Sequence, residues 1–173
     1  MDREAWCAAV HGVAGEILGH ELMINASGYT PVKSAKAIPT GEVAPVEGTP
    51  FDFRTAKTIG RDIHADFEQL IFGQGYDHNF ALDKITDGVE KIAEAYAPES
   101  GIVMEVYTDL IGVQLYTGNF MNGEMGKNGI GLDKHFGFCL ETQYYPDTPN
   151  QPSFPQCTFK AGEKFKSLTI FKV

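Results

Sequence analysis

Phe138-Cys139-Leu140-Glu141-Thr142-Gln143-Tyr144-Tyr145-Pro146-Asp147-Thr148-Pro149-Asn150-Gln151-Pro152-Ser153-Phe154-Pro155 runs from an apolar strand through a single carboxylate into a proline-rich turn. Apolar Phe138 and Leu140 flank the site, and Pro146, Pro149, Pro152 and Pro155 stiffen the chain that leaves it. A carboxylate held by stiff backbone is the form a general base takes. The plainer reading of Glu141 is a polar residue at a strand end.

Working outward, the same alternation recurs. Nineteen glycines and nine prolines cut the sequence into short pieces, and between them apolar and polar residues alternate rather than recur at helical spacing. Val103-Met104-Glu105-Val106-Tyr107-Thr108 and Gly112-Val113-Gln114-Leu115-Tyr116-Thr117 are β-branched or aromatic runs, and Pro98-Glu99-Ser100-Gly101 reads as a turn ahead of the first. Residues 165–173 alternate as a closing strand with one face buried. Residues 30–50, with Pro31, Pro39, Pro45 and Pro50, read as a strap over a sheet. One short helix is expected over residues 63–72, where Ile63, Phe67, Leu70 and Ile71 fall near one face, and the opening residues 4–18 are a weaker helical candidate. The expected fold class is all-β, an antiparallel arrangement, with residues 1–173 forming one domain.

A hydrophobic content of 43% with 21% charged residues places the chain among globular proteins. Its net charge of -9 argues against a nucleic-acid partner, and no stretch of the sequence reads as the basic stripe such a partner requires. No window approaches a membrane span, and the first residues lack the apolar core of an export signal. Cys7, Cys139 and Cys157 are an odd, sparse set without metal-ligand spacing, so reduced thiols in a cytoplasm are expected and no metal site is.

Three further segments complete the reading: Gly75-Tyr76-Asp77-His78-Asn79-Phe80, Gly112-Val113-Gln114-Leu115-Tyr116-Thr117-Gly118-Asn119-Phe120, and the series from His20-Glu21-Leu22-Met23-Ile24-Asn25-Ala26 to Gly48-Thr49-Pro50-Phe51-Asp52-Phe53-Arg54. With the Glu141-Thr142-Gln143 motif they resemble, in order, the aldose 1-epimerases, or galactose mutarotases. The resemblance implies a galactose mutarotase-like β-sandwich represented by its C-terminal half, since family members are substantially longer. It also implies interconversion of the α and β anomers of free hexoses such as galactose and glucose, without a cofactor. One group takes the C1 hydroxyl proton, another protonates the ring oxygen, and the ring opens.

By this resemblance Glu141 is the base and Asp77 and Gln114 hold sugar hydroxyls. The residues alone leave other readings open: an Asx-turn cap for Asp77 and a satisfied core amide for Gln114. His78 reads as structural, because adjacent side chains on a strand face opposite ways. Phe80, Tyr116, Phe120 and Tyr144 are candidates to pack on a pyranose, though each also suits a core. Asp52, Asp62, Asp66, Asp83, Asp87 and Asp133 read as solvated turn residues. The family's acid histidine falls on Ala8, and His11 stands three residues late, a shift that changes strand face. That departure keeps in view a sugar-binding protein or inactive remnant without turnover, and the pair of carboxylates, Asp77 and Glu141, keeps in view a glycosidase's acid and base. A sheet lacking half its neighbours is expected to self-associate.

Overall fold

Alternation in these segments produces strands because each buries one side chain in two. The computed structural model describes residues 16–126, 129 and 131–173. The strands are β1 (Glu21–Ile24), β2 (Gly28–Tyr29), β3 (Ala44–Pro45), β4 (Lys57–Thr58), β5 (Asp77–Ala81), β6 (Glu90–Ala97), β7 (Ile102–Thr108), β8 (Gly112–Tyr116), β9 (Glu124–Met125), β10 (Gly131–Leu132), β11 (Cys139–Gln143) and β12 (Thr169–Lys172). They form two five-stranded antiparallel sheets, ordered β12-β7-β6-β1-β4 and β11-β8-β5-β2-β3, beside a small β9-β10 hairpin. The antiparallel β-rich architecture is the one expected.

The apolar faces share one core. Leu22, Ile24, Ala93, Ala95, Met104 and Val106 enter it from the first sheet, and Tyr29, Phe80, Val113, Leu115 and Leu140 from the second. Phe51, between them in sequence, is fully buried and stacks on Tyr29 with ring centroids 4.4 Å apart. Truncating such an aromatic to alanine costs about 3–5 kcal/mol. The 98–101 turn forms as expected, with Gly101 at φ +72° and its N–H donating to the Ala97 carbonyl.

Four expectations need correction. The helix α1 covers only Glu68–Gly73, and Ile71 is 60% exposed. Ile63 and Phe67 instead pack inward from turns that precede it, because a six-residue helix offers no second turn on which a stripe could continue. The closing strand is only β12, at the sheet's edge, with both faces at least partly exposed and Ile170 at 43%. Asp62 is not a plain solvated turn residue: it lies 2.8 Å from the ammonium of Lys57, whose side chain is 1% exposed. Finally, Cys139 is disulfide-bonded while Cys157 is free, against the expectation of reduced thiols. Whether a cysteine is paired cannot be read from spacing alone. The 4–18 helical candidate lies outside the described residues except for its last positions, where Ile17–Gly19 forms a 3₁₀ turn. No helix among the described residues is long and apolar enough to cross a membrane.

Candidate functional site

β5, β8 and β11 are neighbours, and their registers fix what shares a face. Asn79 pairs with Gln114 and Gln114 with Glu141; one step along, Asp77 pairs with Tyr116 and Tyr116 with Cys139. Residues opposite each other in an antiparallel ladder point to the same side. All three candidates, Asp77, Gln114 and Glu141, therefore lie on the outer face, while His78, Leu115 and Leu140 point into the core between the sheets. A slip of one residue would reverse every assignment, and the buried Leu115–Leu140 pair prevents it.

The α1–β5 connection delivers Asp77. Gln74 adopts a left-handed conformation as the helix ends, and Gly75 follows at φ +141°. A Cβ on Gly75 would stand 2.3 Å from Asn119 Oδ1, so only glycine permits the close approach. Asn119 Nδ2 donates to the carbonyls of Gly73 and Tyr76, both at 2.8 Å, and Thr117 Oγ1 donates to Asn119 Oδ1 at 2.7 Å. These buried bonds pin the loop to the end of β8.

Asp77 is half-buried and accepts from Gln114 Nε2 at 2.8 Å. Burial raises its carboxyl above the ordinary aspartate range, and the Gln114 hydrogen bond offsets only part of that rise. The carboxylate is thus engaged across the sheet, not folded back into an Asx turn. Gln114 is half-buried and satisfied by side chains of the outer face rather than the core. Glu141 is half-buried beside it in register.

His78 is 1% exposed, lies edge-on to Phe51 at 4.8 Å, and accepts the Asp77 N–H through Nδ1 at 3.2 Å. Burial pushes its pKa down to about 4, so the ring is neutral. Phe80 is fully buried and cannot serve as a sugar platform; register with Val113 turns it to the core. Tyr116 does reach the outer face and stacks on Phe120, centroids 6.2 Å apart and planes 22° apart. Tyr144 leans on Phe165 at 6.2 Å. A shallow cleft beside Asp77 is walled by Val32, Ser34, Phe72, His78 and Phe120, so the 30–50 strap contributes to it.

Two polar side chains of this face escaped the sequence reading. Asn79 and Gln143 stand two residues beyond Asp77 and Glu141, and the period of two was the signal that could have found them. Ala8 and His11 lie outside the described residues. Among those described, no group of three or more His, Cys, Asp or Glu side chains could hold a metal ion.

Comparison with known proteins bears on the family and the fold. Human galactose mutarotase is 47% identical over 154 residues, covering 88% of this chain and 43% of the human protein. Aldose 1-epimerase of Escherichia coli K12 is 35% identical over 163 residues, covering 93% of this chain and 46% of its own length. An aldose epimerase homologue from C. elegans superimposes with a TM-score of 0.77 at 22% identity, over 90% of this chain and 46% of that one, which speaks for the fold. Galactose 1-epimerase from Lactobacillus acidophilus superimposes with a TM-score of 0.64 at 28% identity, over 74% of this chain and 36% of that one. The chain thus spans less than half the length of these curated relatives. The aldose 1-epimerase family model matches residues 7–172, nearly end to end, and on that match the chain belongs to the aldose 1-epimerase family.

Proposed function

We propose that this chain supplies the base-bearing part of a site that interconverts the α and β anomers of free hexoses such as galactose and glucose. Glu141 takes the proton from the C1 hydroxyl while an acid protonates the ring oxygen. The C1–O5 bond breaks, the electron pair of the former O–H bond becomes the aldehyde C=O, and rotation about C1–C2 precedes closure on the other face. Asp77 accepts from a sugar hydroxyl and Gln114 donates to one, and the Tyr116–Phe120 pair offers an aromatic surface to the sugar's C–H groups.

The observation that carries this reading is the register. Gln114 lies directly between Asn79 and Glu141 and is tied to Asp77, and their sharing one face supports the roles proposed for them. The acid is the incomplete part. The four described histidines, His20, His64, His78 and His135, all stand off the two rows that hold Asp77, Gln114 and Glu141, and the family's acid position falls on Ala8. Binding without turnover is therefore the expected behaviour of the chain alone, with catalysis expected once the relatives' remaining part is supplied and Ala8→His restores an acid.

Calorimetric titration with galactose tests the binding half, and polarimetry on freshly dissolved α-galactose tests the chemical half. Galactose binding by the chain that Asp77→Ala weakens supports the proposal. Hydrolysis of a nitrophenyl galactoside, in place of mutarotation by the completed protein, would overturn it in favour of a glycosidase.

A further inference from the structure

Three amides and one absent side chain form a unit on the outer face that the proposed proton transfers do not use. Gln143 Nε2 donates to Gln114 Oε1 and to Asn79 Oδ1, both at 3.2 Å, and Gln114 Nε2 donates onward to Asp77 Oδ1 at 2.8 Å. A primary amide fits its space almost equally well either way round, so shape alone does not decide which end of Gln114 meets Asp77. An ionised carboxylate only accepts, which turns the Gln114 NH₂ toward Asp77 and leaves its oxygen to be satisfied from behind. Gln143 is the group that does so.

The arrangement is maintained at a cost. Asn79 is 1% exposed, and with its oxygen turned to Gln143 its Nδ2 is buried with no hydrogen-bond partner among the described residues. A buried donor left unmade is unfavourable, and an orientation that persists despite it is imposed by its neighbours. Space for the unit comes from Gly112, which stands between Ala81 and Gln143 in register. A Cβ there would lie 2.5 Å from Asn79 Oδ1 and 3.1 Å from the Tyr145 ring. The Gly112 backbone is not left-handed, so it is the room beside the strand, and not a special φ, that calls for glycine.

We infer that Asn79 and Gln143 are positioning residues that lock the Gln114 amide with its NH₂ toward Asp77. Gln114 and Asp77, the latter at the cleft's wall, then present a donor–acceptor pair of fixed polarity on the outer face. The role of that pair toward a sugar hydroxyl rests on the proposed function; the locking itself does not.

The test reads Asp77 directly, by carbon-detected titration of side-chain carboxyls in the whole chain, with no sugar present. Gln143→Met keeps length and removes both donated bonds, freeing Gln114 to turn. The Asp77 midpoint should then rise by about half a unit or more, as a carboxylate does on losing a hydrogen bond to its charged form. Gly112→Ala, which displaces Asn79, should move it in the same direction. A Gln143→Met chain that melts like the parent with an unmoved Asp77 titration overturns the inference, since a merely packing role predicts that result. If the variants do not fold, the unmutated chain decides. Slow hydrogen exchange at the Gln114 and Gln143 side-chain amides supports the lock, and exchange as fast as in free glutamine overturns it. An Asp77 shift in a chain that binds no galactose would leave the positioning role standing and remove the proposed function instead.

Discussion

The two outer faces of the sandwich use the same alternation and the same residue classes to opposite ends. On the β12-β7-β6 face, Lys91 meets Glu94 at 2.5 Å and Glu105 at 2.7 Å, and Lys172 meets Glu105 at 2.7 Å. Hydrogen bonds from Lys172 and Lys91 hold the Glu105 carboxyl down to about 2. On the β11-β8-β5 face, Asp77 meets an amide instead of a cation, and burial pushes it up. A charge ladder open to water satisfies itself and contributes little. A carboxylate that is desolvated and given only a neutral partner keeps unspent interaction capacity, which is what a ligand needs.

The sharpest way to break this contrast is at Glu141. In a protein completed to the relatives' full length and carrying Ala8→His, Glu141→Gln keeps size and hydrogen bonding and removes basicity. Polarimetry should show a loss of ~10²–10⁴-fold with galactose binding nearly intact. A parental rate would place Glu141 with the bystanders of the other face.

Asp62 is an intermediate case, a carboxylate paired to a cation that is itself buried. Lys57 Nζ also donates to the Pro50 carbonyl and lies 4.2 Å from the Phe53 ring centroid. Burial lowers the Lys57 pKa, and the Asp62 contact partly restores it. Asp62→Ala leaves that buried ammonium without its carboxylate and should destabilise the chain by about 2–3 kcal/mol, less than a fully buried pair because Asp62 is itself 27% exposed. Chemical denaturation reads it. A silent substitution would return Asp62 to the solvated turn residues.

How far the sequence carried can be judged from particular residues. Alternation along β7 and β8 was legible because each strand buries one face, and the Glu141 face followed from the buried Leu140 beside it. The resemblance carried Asp77 and Gln114, and the register then placed them together. The Lys57–Asp62 pair was not legible, since Lys57 is buried by tertiary packing that no local pattern announces. Nor were Asn79 and Gln143, because an amide's use depends on which neighbours the register brings to it. The 165–173 segment misled because alternation marks a strand, but whether its apolar side is covered depends on what lies across from it.

Two smaller effects probe the binding face and the open edge. Asp77→Ala should weaken galactose binding by about 1.5–3 kcal/mol, the range for a hydrogen bond to a charged group, and calorimetry measures it. Unchanged affinity would leave Asp77 a structural partner of Gln114. At the edge of the first sheet, β12 pairs in the ladder with β7 alone among the described residues, and Phe165, Leu168 and Ile170 are exposed along that segment. Unpaired strand edges with apolar side chains favour association. Light scattering should report a mass above that of one chain, and a monodisperse monomer would show that the edge is adequately protected.

The smallest effect bears most directly on the comparison, because the two carboxylates should respond to pH with opposite signs. Glu105 has a folded pKa below its unfolded one, so its contribution to stability is present above the ordinary glutamate range and is lost as pH falls toward about 2. Asp77 has a folded pKa above its unfolded one, so its contribution is full below the ordinary aspartate range and is lost as pH rises through the folded value. Glu105→Gln should therefore melt below the parent at pH 7, and Asp77→Asn above it. Both differences should shrink as the pH is lowered, that of Asp77 first. Added salt should reduce the Glu105 effect and spare the Asp77 one, since screening reaches exposed ion pairs and not desolvation. Thermal unfolding followed by circular dichroism between pH 3 and 7 reads both signs. An Asp77→Asn chain that melts below the parent at neutral pH would mean that Asp77 is held as comfortably as Glu105, and the distinction between the two faces would fall.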